Sequence, residues 1–292
     1  MIKNTGGGWP AEKKGQGILL RGYYTAASGM LAQQRRQESL SNNIANAQTP
    51  GYKQDQATLK AFPELLLQRM ESKDVPTSRG MNLPMQTQIG SINTGVYVQE
   101  TVPDFAQGDL QETGIPTDVA LINGTMPDED GGLFFTLQNE AGEERMTRNG
   151  NFTVDGDGFL VANQGYYVLD QAGNPIQTNG MEYTVTDEGN LQFNGQEIPL
   201  GISYTANTND LIKEGQGLYR MEDDADPAVN ARAMAGVSFT VQQSYLEGSN
   251  VDSLQSMTDM MGAYRMFETN QKVLKAYDTS MEKAVNEIGR VR

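Results

Sequence analysis

The sequence predicts an α+β protein in which N- and C-terminal helices flank a mainly antiparallel β domain. Both ends carry long proline-free runs with helical periodicity, and the middle alternates short apolar runs with Asn-Gly and Asp-Gly turns. We predict a non-core extension at 1–18, expected to be disordered, and a helical domain formed by 19–56 with 251–292. A linker or extended segment is predicted at 57–102, and a β-rich domain at 103–250. The two helices are expected to pair as a coiled-coil-like inner domain.

The composition excludes several classes of function. The chain has 37 acidic and 22 basic residues, a net charge of −15, which is the wrong sign for binding nucleic acid or anionic lipid. It contains no Cys and no His, so thiolate chemistry, the usual general base and the commonest metal ligand are missing. No run approaches the roughly 18 apolar residues of a membrane helix, and no secretory signal pattern is visible. We therefore expect no enzyme activity, catalytic residue, cofactor, metal, nucleic acid or membrane insertion.

The N-terminal helix is predicted over residues 23–44, a stretch rich in helix-forming residues. Its apolar or small side chains recur every three or four positions, which marks one helix face. That face consists of Tyr23, Ala27, Met30, Leu40, Ile44 and Ala47, with Gln34 and Gln37 between them. The helix should end near Asn46, because Thr49-Pro50-Gly51 cannot continue it. The asparagines at this end suit two roles, capping exposed carbonyls within the chain or bridging to another subunit, and the residues alone leave both open.

The C-terminal helix is predicted over residues 251–288, with Asp252 or Ser253 as its N-cap. Its apolar seam advances by about 3.5 residues per step, the coiled-coil period. The seam consists of Met257, Met260, Tyr264, Phe267, Gln271, Leu274, Tyr277 or Asp278, Met281, Ala284 or Val285, and Ile288. An ordinary amphipathic helix packed on its own core remains the alternative.

The middle of the chain predicts hairpins, because Asn-Gly and Asp-Gly supply the positive φ angles of tight turns. These dipeptides stand at 123–124, 149–150, 155–156, 179–180 and 194–195. The loop around Asp155 imitates a calcium loop, but Ala162 stands where a bidentate Glu is required. The acidic clusters at 128–130 and 222–226 lie in loop-like sequence, so we expect solvated surface and not paired catalytic carboxylates.

Residues 41–53 read SNNIANAQTPGYK and closely resemble the signature (S/A)NN(I/L)AN-x-x-T-x-G-(F/Y)-(K/R) of the flagella basal-body rod protein family. Three further segments, 105–121, 147–161 and 243–251, resemble later family motifs in the same order. Ser244 departs from the usual Gly, and Gly262-Ala263-Tyr264-Arg265 reorders the usual Arg-Ala-Tyr. The resemblance extends from about residue 21 to residue 288. Residues 1–18 precede it, which makes Leu19 or Leu20 a candidate initiator.

This resemblance implies a structural subunit of the bacterial flagellar basal-body rod, exported by the flagellar type III apparatus and polymerising through its terminal helices. The implied partners are other copies of the chain, other rod or hook subunits, and the export apparatus. A hook or hook-junction protein is the near alternative, and a rod-tip peptidoglycan-cleaving enzyme is the alternative from a different class.

The resemblance also implies which residues mediate assembly. They are Asn42, Asn43, Ile44, Asn46, Thr49, Gly51, Tyr52, Met257, Met260, Tyr264, Phe267, Leu274, Met281 and Ile288. Phe62 and Leu66 resemble the short hydrophobic motif that the export gate reads in early substrates.

Overall fold

The computed structural model describes residues 12–62, 65–75, 81–92, 95–139 and 141–288, with side chains described for 21–62, 95–139 and 141–287. The chain divides into two compact units. The first, called the helical unit, contains the described residues up to Leu40, those from Ala57 to Thr101, and those from Met257 onward. The second, called the β unit, contains Ser41–Gln56 and Val102–Ser256.

Two long helices lie near the ends of the chain, α1 at Glu12–Ala45 and α2 at Ser253–Ile288. Both predicted helices are confirmed. Residues 12–18 were expected to be disordered, but they belong to α1, because no proline interrupts the chain between positions 10 and 50. Of the two candidate caps of α2, Asp252 acts as the N-cap, since its Oδ1 accepts a hydrogen bond from the Gln255 amide at 3.0 Å.

The predicted linker at 57–102 is extended but paired. It holds strands β1 (Asp55–Ala61), β2 (Leu65–Val75), β3 (Met81–Ile92) and β4 (Val96–Pro103). β2 and β3 form one long antiparallel ribbon, and β1 pairs with β4. The linker was predicted from prolines and glycines at 76, 80, 84, 90 and 95. Two of them lie inside this ribbon, where Pro84 pairs with Ser72 and Gly90 with Leu67. In a two-stranded ribbon each strand has a free edge, and edge strands tolerate such residues.

The described part of the β unit contains sixteen further strands. They are β5 (Leu110–Glu112), β6 (Val119–Asn123), β7 (Gly132–Gln138), β8 (Glu144–Thr147), β9 (Phe152–Val154), β10 (Leu160–Ala162), β11 (Tyr167–Val168), β12 (Thr184–Val185), β13 (Asn190–Phe193), β14 (Gln196–Pro199), β15 (Ile202–Thr205), β16 (Leu211–Gly215), β17 (Leu218–Met221), β18 (Val229–Asn230), β19 (Phe239–Gln243) and β20 (Tyr245–Glu247). The largest sheet has nine strands with the path β16-β17-β8-β7-β11-β10-β9, and β15 joins β7 to β18. β12-β13-β14 form a three-stranded sheet, and β6 pairs with β19 and β5 with β20.

The core of the β unit lies on both faces of β7. Phe135 belongs to the larger buried cluster, where its ring meets Phe152 edge-on at 5.2 Å. Phe134 points to the other side and packs with Phe105 and Tyr219 at 5.3 and 5.9 Å. Successive side chains of a strand face opposite ways, so a strand covered on both faces is apolar without alternation.

The Asn-Gly dipeptides serve two different purposes. Asn194-Gly195 forms the two-residue hairpin between β13 and β14, with φ angles of 48° and 76°, as predicted. Asn179-Gly180 also has two positive φ angles. By contrast, Asn149-Gly150 is not a hairpin turn. A Cβ on Gly150 would collide with the carbonyl oxygen of Val119, so glycine is needed there for close backbone approach.

Candidate functional site

Four motif segments converge on one buried carboxylate in the β unit. They are residues 41–53, 105–114, 147–152 and 243–251. The carboxylate belongs to Glu247, whose Oε1 lies 2.6 Å from Lys53 Nζ and accepts the Gly108 amide at 3.0 Å. Its Oε2 lies 2.6 Å from an Arg148 guanidinium nitrogen. We call Lys53, Gly108, Arg148 and Glu247 the motif junction, and it ties distant parts of the β unit to one side chain.

The motif junction places two cations against one anion in the protein interior. Lys53 and Glu247 are fully buried and Arg148 nearly so. Lys53 also donates to the Ala106 carbonyl at 2.7 Å, and Arg148 donates to the carbonyls of Leu121 and Leu133 at 2.8 and 2.9 Å and to Asn123 Oδ1 at 2.9 Å. Burial lowers the pKa of Lys53, and the charge of Glu247 opposes that shift. Every charge therefore has close polar partners, which buried charges require.

Sequence reasoning missed the motif junction, although one signal was present. Lys53, Arg148 and Glu247 each stand among uncharged neighbours within a motif segment. A charged side chain inside otherwise uncharged, partly apolar sequence indicates a buried partner. The pattern could have identified the three residues as candidates for ion pairing.

Asn43 closes the loop that follows α1. Its Oδ1 accepts hydrogen bonds from the Asp55 amide at 2.9 Å and the Tyr52 hydroxyl at 3.1 Å, and its Nδ2 donates to the Asp55 carbonyl at 2.8 Å. Lys213 pairs with Asp55 at 2.9 Å and lies 4.2 Å from the centre of the Tyr52 ring. Asn43 and Tyr52, two predicted assembly residues, are thus buried within their own β unit.

The other residues of the Asn-rich segment also have partners within the β unit. Asn46 Nδ2 donates to the Asn42 carbonyl at 2.9 Å, which caps the end of the helix. Thr49 Oγ1 donates to Asn46 Oδ1 at 3.3 Å. Gly51 has a φ of 68° and donates its amide to the Glu247 carbonyl at 2.7 Å. Of the two roles left open for the asparagines, capping within the chain is observed. The contact of this segment, including the half-buried Ile44, with other subunits stays a prediction.

The covered face of α2 overlaps the predicted seam. Besides Ser253, Asp259 and Glu268, its less exposed side chains recur at alternating steps of four and three, the heptad spacing. They are Ser256, Met260, Ala263, Phe267, Asn270, Leu274, Tyr277 and Met281. Five predicted seam residues lie here, including Tyr277. Met257 and Tyr264 are instead 46% and 59% exposed on the adjacent stripe, and the side chain of Ile288 lies outside the described residues. Two apolar stripes run side by side in this helix, and a sequence period alone does not tell which one is covered.

α1 and α2 approach each other closely where α1 carries glycine. Gly22 lies against the Tyr277 side chain, and a Cβ on Gly29 would lie 3.0 Å from Asn270 Nδ2. Seven residues separate the two contacts on each helix, in opposite chain directions. The helices are therefore antiparallel along this stretch, and the missing side chains of glycine permit the approach.

The candidate export-motif residues do not lie on a helix. Phe62 follows β1, is 39% exposed and stacks against Tyr97 with ring centres 5.2 Å apart. Leu66 lies in β2, and its side chain is outside the described ones. Their recognition by an export gate stays a prediction.

Two acidic segments that resemble functional sites in sequence, the loop at Asp155 and the cluster at 128–130, make hydrogen bonds within the β unit. Asp155 Oδ1 accepts hydrogen bonds from the backbone amides of Asp157 and Phe159 at 3.0 and 2.7 Å. The sequence that resembles a calcium loop is therefore a turn. Asp128 accepts the Tyr204 hydroxyl at 2.7 Å. Across the described residues, no three Asp or Glu side chains are grouped so as to hold a metal ion. No helix in the described part of the chain has the length and apolar character to cross a membrane.

Three family models match the chain. "Flagella basal body rod protein" matches residues 24–53, "Flagellar hook protein FlgE/F/G D1 domain" matches 130–193, and "Flagellar basal body rod FlgEFG protein C-terminal" matches 242–287. Lys53, Arg148 and Glu247 lie in these three matches respectively. The motif junction therefore joins all three matched regions.

Similar proteins cover nearly the whole chain. The flagellar hook-basal body complex protein FlhO of Bacillus subtilis (strain 168) is 42% identical over 94% of this chain and 100% of its own length. The flagellar basal-body rod protein FlgG of Agrobacterium fabrum is 33% identical over 89% of this chain and 96% of its own. FlgG of Bacillus subtilis (strain 168) is 30% identical over 92% of this chain and 99% of its own.

Proposed function

Because this chain belongs to the flagellar basal-body rod protein family and is a structural rod or hook subunit of the basal body, we propose that it polymerises through its two terminal helices after export by the flagellar type III apparatus. The family is a structural one and not an enzyme family. Other copies of the chain and other rod or hook subunits are its proposed partners.

The observation that carries the proposal is the uncovered apolar surface of α2. Met257, Met261 and Tyr264 repeat at steps of four and three and are 46%, 56% and 59% exposed. An apolar stripe of this kind marks a protein interface when it stays exposed in the monomer. Long helices owe most of their stability to packing. Assembly would therefore both bury this stripe and stabilise the helix.

Within one subunit, α1 and α2 form a coiled-coil-like pair in this proposal. The alternating steps of four and three on α2 and the contacts of Gly22 with Tyr277 and Gly29 with Asn270 support it. Ordering of the pair would be coupled to assembly, which limits premature polymerisation.

Export as an unfolded chain is supported by the lack of cysteine, since no disulfide has to form or break. Phe62 and Leu66 are the proposed export-gate residues. Within the family a rod position is favoured over the hook, because the described strands from Leu110 to Glu247 form one block, whereas hook proteins usually carry extra inserted domains.

The test is a pair of substitutions on the covered face of α2. We expect Leu274→Asp or Met281→Asp to remove the subunit from hook–basal bodies, measured by mass spectrometry of the purified particles, and to abolish swimming. Ala276→Asp is the matched control, because Ala276 lies on the same helix but is exposed. The β unit should keep its near-ultraviolet circular dichroism in all three variants.

Normal swimming of the Leu274→Asp and Met281→Asp strains would contradict assembly through this helix. The enzyme alternative predicts release of soluble fragments when the purified protein is incubated with peptidoglycan, and we expect none.

A further inference from the structure

A groove of about 420 Å³ lies on the helical unit beside α1. It is lined by Arg21, Tyr24, Ala27, Ser28, Leu31 and Phe62. Tyr24 and Leu31 stand seven residues apart on one helix face and are 63% and 59% exposed. This face differs from the one that carries Gly22 and Gly29 and meets α2. The groove is therefore left open by the helix pairing within one subunit.

The wall of the groove is built from the β1–β4 ladder. The Phe62 amide donates to the Gly95 carbonyl at 3.0 Å, and the Phe62 ring stacks on Tyr97. Gly95 lies against Ser28 of α1, and a Cβ at this position would collide with the Ser28 hydroxyl. Phe62 is thus held beside Tyr24 and Leu31 by backbone and ring contacts within one copy of the chain.

A ridge of matching chemistry projects from α2. Met257, Met261 and Tyr264 lie at steps of four and three and are 46%, 56% and 59% exposed. Each follows by one residue a position of the covered face, so the ridge is rotated by roughly 100° from it. Methionine side chains are flexible and adapt to irregular apolar surfaces. The ridge is an apolar projection of a kind that suits an apolar groove.

The charges near the groove and the ridge have opposite signs. Residues 21–38 of α1 carry three arginines, at 21, 35 and 36, and one acidic residue, Glu38, which pairs with Arg35 at 3.9 Å, a net charge of +2. Residues 252–268 at the start of α2 carry three acidic residues and one arginine, a net charge of −2. Opposite electrostatic potentials favour contact between a groove and a ridge, and like potentials disfavour contact between two grooves.

We propose that the ridge of Met257, Met261 and Tyr264 on one copy docks into the groove of Tyr24, Leu31 and Phe62 on the next copy of this chain. The inference rests on the proposed function and specifies its contact. Two different patches meet, so the contact is heterologous. A heterologous contact leaves a free groove at one end and a free ridge at the other, and it builds an open helical array unless the rotation closes into a ring.

The lack of native cysteine allows a direct test in the bacterium of origin. The chromosomal gene is replaced by a Leu31→Cys/Met261→Cys double variant, which places one thiol in the groove and one on the ridge. Hook–basal bodies are purified, treated with an oxidant or a short bismaleimide, and separated on a non-reducing gel. We expect a ladder of covalent oligomers, because each copy then carries one thiol for each neighbour.

The controls separate this contact from chance proximity. Leu31→Cys alone and Met261→Cys alone should stay monomeric, and their coexpression should stop at dimers. Leu31→Cys/Ala276→Cys, with the second thiol at an exposed position in the C-terminal half of α2, should give no ladder.

Three outcomes would overturn the proposal. Dimers only from the double variant would mean an isologous contact, and a conjugate with a different subunit would mean that the groove receives another protein. No conjugate in particles that contain the chain would place the contact elsewhere and leave the proposed function intact. Absence of the wild-type chain from purified hook–basal bodies would instead contradict the proposed function itself.

Discussion

The β unit and the helical unit differ in which side chains they bury: the β unit buries charged residues, and the helical unit exposes large apolar residues. The β unit buries a two-cation, one-anion cluster and gives each charge hydrogen-bonded partners. The helical unit leaves large apolar residues such as Leu31 and Tyr264 more than half exposed. Buried charges are tolerated only when they are paired and hydrogen-bonded within the fold. A large exposed apolar patch, by contrast, marks a surface that binds a partner. The described charges of the motif junction are therefore satisfied within the β unit, whereas the exposed apolar residues of the helical unit agree with its proposed role in assembly.

The distribution of charge supports this division. Residues 102–256 contain 25 acidic and 5 basic residues, a net charge of −20, although the whole chain carries only −15. The rest of the chain is therefore +5. Like charge of this size opposes association of β units with one another. This charge agrees with the proposal that copies of the chain contact each other through the helical unit.

The largest expected effect tests the buried cluster of the β unit. Glu247→Ala leaves Lys53 and Arg148 buried without their anion, so we expect the free energy of unfolding to fall by ~3–5 kcal/mol. Glu214→Ala is the matched control, because Glu214 also pairs with two arginines but at the surface, and its loss should cost about 1 kcal/mol or less. Urea unfolding followed by circular dichroism measures both. Equal losses would show that burial is not what makes the motif junction important.

The next effect tests the backbone at the Asn-rich segment. Gly51 and Gly142 both have positive φ angles, 68° and 84°. Alanine at Gly142 meets open space, so we expect only the left-handed strain of about 1–2 kcal/mol. Alanine at Gly51 would also place its Cβ 2.5 Å from the Asn149 amide nitrogen, which should add about 1–3 kcal/mol. Similar unfolding midpoints for the two variants would remove the steric argument.

A smaller effect concerns the buried tyrosines and alkaline pH. Burial raises the pKa of Tyr52, Tyr183 and Tyr219 above the ordinary value of 10.0. The folded state then holds these protons more tightly, so its stability is complete below pH 10 and falls as the pH rises further. Burial lowers the pKa of Lys53 from 10.5, so below that pH the unfolded state binds this proton more tightly than the folded state. The contribution of Lys53 to stability therefore rises as the pH rises toward 10.5.

Two phenylalanine variants separate these contributions. Tyr52→Phe loses hydrogen bonds to Asn43 and Asp55 and should cost about 1–2 kcal/mol at pH 7. The Tyr219 hydroxyl has no hydrogen-bond partner among the described residues, so Tyr219→Phe should be close to neutral there and should weaken the alkaline loss. Urea midpoints between pH 7 and 11 give both values. An unchanged alkaline slope in Tyr219→Phe would assign the loss to other groups.

The smallest expected effect on stability is accompanied by a loss of function. Tyr264→Asp changes an exposed residue of the ridge, so the free energy of unfolding should change by less than about 0.5 kcal/mol. Swimming should nevertheless be lost, because the charge would be buried in the assembly. Ala276→Asp should leave both unfolding and swimming unchanged. A swimming Tyr264→Asp strain would show that the ridge is free of partners in the flagellum.

Several features were predictable because they depend on local pattern. The long proline-free runs predicted α1 and α2, and the NG dipeptide at 194–195 predicted its hairpin. The heptad spacing of α2 was also predictable, but the side of the helix that is covered was not. Met257 and Met260 are both apolar, and only Met260 lies on the covered face. The pairing of β2 with β3 was not predictable from the sequence, because prolines and glycines such as Pro84 and Gly90 are turn residues in most settings.

The sequence by itself determined the family, the two helices and the β character of the middle, because periodicity, proline placement and turn dipeptides act over a few neighbouring residues. The tertiary structure alone decided which charges pair and which apolar stripe is covered. Lys53 and Glu247 are 194 residues apart in the chain, and no local preference encodes a contact at that separation. Their pairing follows from the way the strands of the β unit bring both side chains into one interior, where an unpaired charge would be too costly.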